Sequence, residues 1–149
     1  MKNVTGVPQL FLRLALAIIF IMAVMDRFGW LGAPGVKDVS WGDWKHFVDY
    51  TNTLVPFVSR PIANFLAILA TVAETTFAIC LIIGLKVKQV ALGVAMLTLC
   101  FGLCMAIFVS IGAPFNYPVF VFTGSGLVLS GLNRYRWSVD DYLAGKAYN

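Results

Sequence analysis

Charged residues are scarce in this chain, and their scarcity decides the class of protein. Lys, Arg, Asp and Glu make up 12% of the 149 residues, whereas 60% are hydrophobic. A soluble domain usually has about 25% charged and about 45–50% apolar residues. The sequence is therefore that of an integral membrane protein, with the lipid bilayer as its surroundings.

The scarcity of histidine, of paired cysteines and of basic clusters excludes several kinds of functional site. The single histidine, His46, rules out a histidine-rich metal site and a haem held by two histidines, so no metal is expected. Cys80, Cys100 and Cys104 form no C-x-x-C motif, and we interpret them as small buried hydrophobes. The net charge of +4 is not gathered in a basic cluster among aromatic residues, so no nucleic-acid partner is expected. No motif for a covalently bound cofactor occurs.

Four apolar runs follow one another along the chain, and a spanning helix needs about 20 such residues. They cover about residues 8–25, 62–85, 87–111 and 115–132. Because they use most of the chain, we expect a single all-α domain over residues 1–149, an integral membrane four-helix bundle. The first run has no small-residue cleavage site, which predicts an uncleaved helix.

Positive charges are distributed unevenly between the two ends of such a bundle. Seven fall on one side and four on the other, and the positive-inside rule then places both termini in the cytoplasm. The seven are Lys2, Arg13, Lys86, Lys88, Arg134, Arg136 and Lys146, and the four are Arg27, Lys37, Lys45 and Arg60.

The longest segment between the apolar runs, residues 30–60, contains a second kind of helix. Ser40 and Asp43 resemble a capping box, and apolar residues recur after them at helical spacing. We predict an amphipathic helix in the outer interface, with Trp41 and Trp44 as anchors. It serves either as a structural lid or as a recognition surface. His46 on its polar face is either a solvated histidine or a proton acceptor.

The second apolar run contains one acid, Glu74. Small residues at helical spacing surround it and mark a face that contacts other helices, namely Ala63, Ala67, Ala70 and Ala78. Glu74 should therefore face the interior of the bundle, with Thr71 beside it as a hydrogen-bonding residue.

An arginine in the first run is the partner that we predict for Glu74. Arg13 lies thirteen residues before Asp26, and Glu74 lies thirteen after Pro61, so both are about 20 Å below the outer boundary. The two charges are therefore expected to pair. This pair is either an ion pair that only stabilises the bundle or a proton or ligand site.

Two further segments are expected at the ends of the bundle. Asn116 and Tyr117 lie in a short outer turn, where they are candidates for hydrogen bonds to an entering ligand. In the C-terminal tail, Ser138 is placed as the N-cap of a short helix on the cytoplasmic surface.

Four short motifs stand out along the chain. They are Arg13 near the start of a leucine-rich span, the exit sequence Met25-Asp26-Arg27-Phe28, the acid Glu74 followed by Leu81-Ile82-Ile83-Gly84-Leu85, and the tail Arg136-Trp137-Ser138-Val139-Asp140. Together they resemble the DoxX/DoxD family of bacterial four-helix membrane proteins. The resemblance implies a multi-pass protein of the bacterial inner membrane. It also points to Arg13, Asp26, Arg27, Glu74 and the Arg136–Asp140 tail as site residues, with Asp26 and Arg27 as candidates for binding a ligand directly.

The family includes the membrane subunit of thiosulfate:quinone oxidoreductase, so the resemblance implies a subunit of a redox complex. Such a subunit binds a quinone and supports electron transfer from a small sulfur compound or a partner protein. The expected partners are an oxidoreductase subunit and a second copy of the chain. The alternatives are a noncatalytic scaffold or assembly factor and a transporter of a small solute.

Overall fold

The computed structural model describes residues 6–146, which form seven α-helices and no strand. The predicted all-α fold class is confirmed. Lys2, one of the charges used to orient the chain, lies outside the described residues, as does the side chain of Lys146. The helices are α1 (Gly6–Arg27), α2 (Trp44–Leu54), α3 (Arg60–Ile83), α4 (Val87–Phe108), α5 (Ala113–Asn116), α6 (Val119–Ser130) and α7 (Val139–Lys146).

Three of the helices are long and apolar enough to cross a membrane. α1, α3 and α4 have 22, 24 and 22 residues and contain windows with mean hydropathies of 2.2, 2.2 and 2.4. At about 1.5 Å per residue each exceeds the roughly 30 Å of a hydrocarbon core. The chain is therefore a multi-pass membrane protein built as a helical bundle.

The fourth predicted span, residues 115–132, is wrong as a single helix. The chain breaks at Tyr117–Pro118, and α6 after the break has 12 residues, or about 18 Å. Pro118 lacks the N–H that a continuous helix needs, which explains the break. α6 nevertheless packs closely on α4, since a Cβ at Gly126 would lie 2.8 Å from the carbonyl oxygen of Ala91.

The bundle has two ends that differ in their covering segments. α1 packs on α3, α3 on α4, α4 on α6, and α6 on α1. We call the end where α2 lies the lid end, and the end that carries residues 134–146 the tail end. Apolar side chains fill the bundle towards the tail end; they are Leu16, Ala17, Phe20, Ala78, Leu81, Val87, Val90, Ala91, Val94, Leu129 and Tyr135.

The amphipathic helix predicted in the 30–60 segment is present as α2. Its cap is Asp43, whose side chain accepts from the backbone N–H of His46, so the prediction of Ser40 as cap is wrong. Its own residues Phe47, Val48 and Leu54 are buried. Since α2 packs on α3 and α4, its buried face contacts the bundle itself, and α2 is a lid over the bundle.

The cysteines lie on the sides of the long helices. Cys80 and Cys104 are half-buried, and Cys100 is exposed on α4, so the prediction of three buried thiols is wrong for Cys100. All three are free thiols. No group of His, Cys, Asp and Glu in the described part of the chain has the geometry of a metal site.

Candidate functional site

Glu74 faces the interior of the bundle, as the alanine face of α3 predicts. Ala63, Ala67, Ala70 and Ala78 are buried with it, and Glu74 itself is only 4% exposed. Its Oε2 atom lies 2.6 Å from Nη2 of Arg27, the last residue of α1. The two charges form an ion pair within the protein.

Arg27 is held by groups from both the bundle and the lid. Its Nη1 donates to the hydroxyl of Thr71, 2.8 Å away on α3. Its Cζ atom lies 3.8 Å from the centre of the Phe47 ring and 5.3 Å from that of Trp41. Such a cation stacked on aromatic faces is favourable, and more so where water is excluded. Arg27 therefore fastens the lid to the ion pair.

The predicted pairing of Arg13 with Glu74 is wrong. Arg13 is fully buried at the tail end, where its Nε donates to the carbonyl of Leu81 at 3.0 Å and Nη2 to that of Ile82 at 3.2 Å. Nη1 donates to the carbonyls of Arg136 and Trp137 at 3.3 and 3.4 Å. Arg13 thus joins the last turn of α3 to the C-terminal tail.

The direction of side chains along a helix explains this error. Side chains lean towards the N-terminus of their own helix. α1 starts at the tail end, so Arg13 leans away from Glu74 and Arg27 leans towards it. α3 starts at the lid end, so Glu74 leans towards Arg27. Moreover, the first turns of α3 lie beside the lid, since the indole of Trp44 donates to Asn64, and Pro61 is therefore a poor marker of depth.

A cavity of about 360 Å³ lies beside the ion pair, beneath the lid. This volume falls within the range of about 300–1,000 Å³ that is typical of small-molecule sites. α1, the lid, α3, α4 and α6 all contribute to its walls, which are largely apolar and aromatic. The lining residues are Ile19, Phe20, Ala23, Arg27, Ser40, Trp41, His46, Phe47, Tyr50, Glu74, Thr98, Phe101, Met105, Tyr117, Val119 and Phe122. We call it the lid cavity.

Hydroxyl groups and a histidine line the lid cavity at different depths. Thr98 on α4 is buried and shares a hydrogen bond of 2.9 Å with Thr123 on α6. His46 and Tyr117 are exposed, which places them at the mouth. Burial and the neighbouring Tyr117 raise the pKa of Tyr50 above its usual value, so the Tyr50 hydroxyl remains a neutral donor.

The structure brings together most, but not all, of the residues singled out in the sequence. Trp41, His46, Tyr117, Arg27 and Glu74 line the lid cavity, and Thr71 supports Arg27. The remaining four do not line it. Arg13 is at the tail end, Asn116 is exposed on α5, Trp44 lies in an outer groove with Arg60, and Asp26 binds backbone.

Sequence reasoning missed the part of the cavity wall that α4 and α6 supply. Thr98 and Phe101 come from α4, and Phe122 from α6. One signal was available, because Thr98 and Thr123 are the kind of hydroxyl residues that hydrogen-bond across helices in membranes. The aromatic members carry no such signal, since an aromatic residue in an apolar span is usually lipid-facing or core.

An all-helical bundle with three spanning helices, a buried ion pair and a ligand-sized cavity defines a multi-pass membrane protein with a candidate small-molecule site. The family model described as DoxX matches residues 9–110, more than half of the chain. This chain belongs to the DoxX family, which confirms the resemblance seen in the sequence. Neither a comparison with curated proteins nor one with solved structures finds a match.

The extent of the family match bears on the site. Residues 9–110 contain Arg13, Asp26, Arg27 and Glu74, together with the whole lid. They do not include α6 or the Arg136–Asp140 tail, so the resemblance of that tail stays a prediction. The ion pair and the lid therefore lie within the family region, and one wall of the cavity lies beyond it.

Proposed function

We propose that this protein is a membrane subunit of an oxidoreductase and binds a quinone in the lid cavity. The single observation that carries the proposal is the Arg27–Glu74 ion pair in the wall of an apolar, aromatic cavity of about 360 Å³. A buried ionisable residue within a membrane bundle is a functional-site hypothesis by default. The cavity gives that hypothesis a volume in which a ligand fits.

The chemistry of the lining residues fits a quinone ring. Its flat apolar faces match the rings of Trp41, Phe47 and Phe101, and its carbonyl oxygens require a donor such as the hydroxyl of Tyr50. When bound, a quinone supplies a site that takes up two electrons and two protons. The electrons come from a partner oxidoreductase subunit or from a small sulfur compound.

The ion pair has a distinct role in this proposal. Glu74 is the one carboxylate among the described residues that line the cavity, so it is the buried group that accepts or releases a proton there, while His46 lies at the mouth. Arg27 stabilises its negative charge and is itself held in place by Thr71 and Phe47. The pair therefore keeps a proton-exchanging group at the cavity wall in a fixed orientation.

Tryptophan fluorescence tests binding, because quinones quench nearby indoles. Trp41 lines the lid cavity, whereas Trp44 lies in the outer groove. Decylubiquinone and menadione are titrated into purified protein in detergent. We expect saturable quenching that is lost in Trp41→Phe and retained in Trp44→Phe. Trp44→Phe is the matched control because it also removes one indole at the lid end.

Equal, non-saturating quenching of all three proteins would show only partition of the probe into detergent and would contradict quinone binding. Subunits that co-purify without any quinone response would instead favour the noncatalytic scaffold. Solute flux in liposomes would favour the transporter.

We also propose that the protein lies in a bacterial inner membrane with its tail end in the cytoplasm. The described basic side chains support this orientation by a small excess, since five lie at the tail end and four at the lid end. The five are Arg13, Lys86, Lys88, Arg134 and Arg136, and the four are Arg27, Lys37, Lys45 and Arg60. A reporter that works only in the cytoplasm should be active when it is fused to the C-terminus. Activity of a periplasmic reporter there would reverse the orientation.

A further inference from the structure

We infer that Asp26 is a positioning residue that fixes residues 40–42, and through them Trp41, as a wall of the lid cavity. It controls ligand affinity without contacting the ligand. The inference rests on the proposed function, since it concerns the same cavity. It also replaces the prediction that Asp26 binds the ligand directly.

The carboxylate of Asp26 binds three successive backbone N–H groups. Oδ2 accepts from Ser40 at 2.9 Å and from Trp41 at 3.2 Å, and Oδ1 accepts from Gly42 at 3.0 Å. Asp26 is buried, and hydrogen bonds to an ionised acceptor are about twice as strong as neutral ones. These bonds fix the chain immediately before α2.

The same segment is also held by close backbone packing. Gly42 has φ +72°, and a Cβ there would lie 2.7 Å from the carbonyl carbon of Ala33 and also collide with Pro34. A Cβ at Gly29, with φ +73°, would lie 2.9 Å from the carbonyl oxygen of Gly42. Residues 40–42 are therefore held by the Asp26 carboxylate and also packed against backbone that leaves no room for a side chain at Gly42.

This clamp determines where the indole of Trp41 lies. The ring packs edge-on against Phe47 with 5.0 Å between centroids, and it lies 5.3 Å from the Cζ atom of Arg27. Both of those residues line the lid cavity, whereas Asp26 does not. Displacing residues 40–42 would move an aromatic wall and uncover the cation, so the effect on a ligand is indirect.

The tail end provides a matched control for the carboxylate. Asp140 accepts from the backbone N–H groups of Lys86 and Val87, both at 2.8 Å, and so clamps the chain before α4 in the same manner. It is remote from the lid cavity. Gly35 is a matched control for Gly42, because it has φ +88° and a Cβ there would meet nothing within 4 Å.

The test uses the full-length protein with Trp41 as its one indole, obtained by replacing Trp30, Trp44 and Trp137 with Phe. Asp26→Asn and Gly42→Ala are compared with Asp140→Asn and Gly35→Ala. Two quantities are measured for each protein, namely acrylamide quenching of Trp41 without ligand and the apparent affinity for decylubiquinone. The first reports the position of the wall alone.

Asp26→Asn and Gly42→Ala should each raise acrylamide quenching, because residues 40–42 are displaced. Each should also weaken quinone affinity by about tenfold or more, which is a loss of about 1.4 kcal/mol in binding free energy. The two controls should stay within about twofold of the parent. If Asp26→Asn does not fold, Gly42→Ala displaces the same segment through its collision with Ala33 and Pro34 and carries the test.

Unchanged acrylamide quenching in Asp26→Asn or Gly42→Ala would overturn the inference, as would equal effects in the controls. Weaker quinone affinity with unchanged quenching would also overturn it, because it would return Asp26 to the role of a direct ligand. If the parent does not bind quinone, the proposed function fails, and the acrylamide measurement still decides whether Asp26 positions the wall.

Discussion

The lid end and the tail end of the bundle each use a buried arginine and an aspartate, but in different surroundings. Each buries an arginine of α1, Arg27 at the lid end and Arg13 at the tail end. Each also has an aspartate that accepts backbone N–H groups, Asp26 for residues 40–42 and Asp140 for Lys86 and Val87. The difference lies in what the arginines face.

The hydrogen bonds of Arg13 in the described structure go to carbonyl oxygens of α3 and the tail, and the carboxylate of Asp140 acts on it only through its charge, so its role is to connect segments. Arg27 faces a carboxylate, two aromatic rings and a cavity. A buried arginine is therefore not by itself a sign of a functional site. The partner decides, and an ionisable partner beside a cavity is what distinguishes the lid end.

The largest effect is expected from removing the ionisable partner at the lid end. Glu74→Ala leaves Arg27 buried without its carboxylate, and breaking a buried pair in this way costs about 3–5 kcal/mol. The free energy of unfolding, measured by denaturant titration in detergent, should fall by that amount. Quinone affinity should fall as well.

A second substitution separates the charge from the packing. Replacing both partners, Arg27→Met with Glu74→Met, removes the unpaired charge and should recover most of the lost free energy of unfolding. It should not recover quinone affinity. Recovery of both would mean that the pair has no role in the binding site.

The corresponding change at the tail end should cost less and leave the ligand alone. Arg13→Met removes the charge itself and leaves neutral carbonyls without a donor, which costs about 1.5–3 kcal/mol. Quinone affinity of the folded variant should equal that of the parent. A large loss of affinity with little loss of stability would contradict the separation of the two ends.

The comparison of the ends also shows which features were readable from the sequence. Apolar length predicted α1, α3 and α4, helical spacing predicted α2, and the alanine face of α3 predicted that Glu74 points inward. Ser138 is confirmed as the cap of α7, because its hydroxyl accepts from the N–H of Asp141. Each of these depends on residues within one element.

The errors concern relations between elements. Counting residues from Asp26 and Pro61 assumed a common boundary, but the start of α3 packs beside the lid, and side chains on antiparallel helices lean in opposite directions. Similarly, the cavity is enclosed by residues from α1, the lid, α3, α4 and α6, which lie far apart in the chain. No pattern within a single segment encodes either fact.

A smaller effect is expected between the two ends, where α4 and α6 meet without charges. Gly126→Ala would place a Cβ 2.8 Å from the carbonyl oxygen of Ala91 and should cost about 1–3 kcal/mol through overpacking. Gly124→Ala, on the same helix, meets nothing within 4 Å and should stabilise the protein by up to about 1 kcal/mol. Thermal unfolding of the two variants measures the contrast.

A modest loss of quinone affinity is also expected in Gly126→Ala, because Phe122 and Val119 line the cavity from the same helix and would move with it. Equal stability of the two glycine variants would show that α6 does not depend on close approach to α4.

The smallest effect should appear in acid and only at the lid end. The backbone N–H and then the ring of His46 hold the pKa of Asp43 below its usual value, and Lys45 and Arg60 do the same for Asp49. A lowered folded-state pKa stabilises the fold above the unfolded value of about 3.9, and this contribution is lost as pH falls through the folded value. Acrylamide quenching of Trp41 should therefore rise below about pH 4.

The rise should be weaker in the double variant Asp43→Asn/Asp49→Asn, since asparagine still caps a helix but does not titrate. In the control Asp140→Asn the rise should equal that of the parent. An equal acid response in all three proteins would place its origin outside the lid.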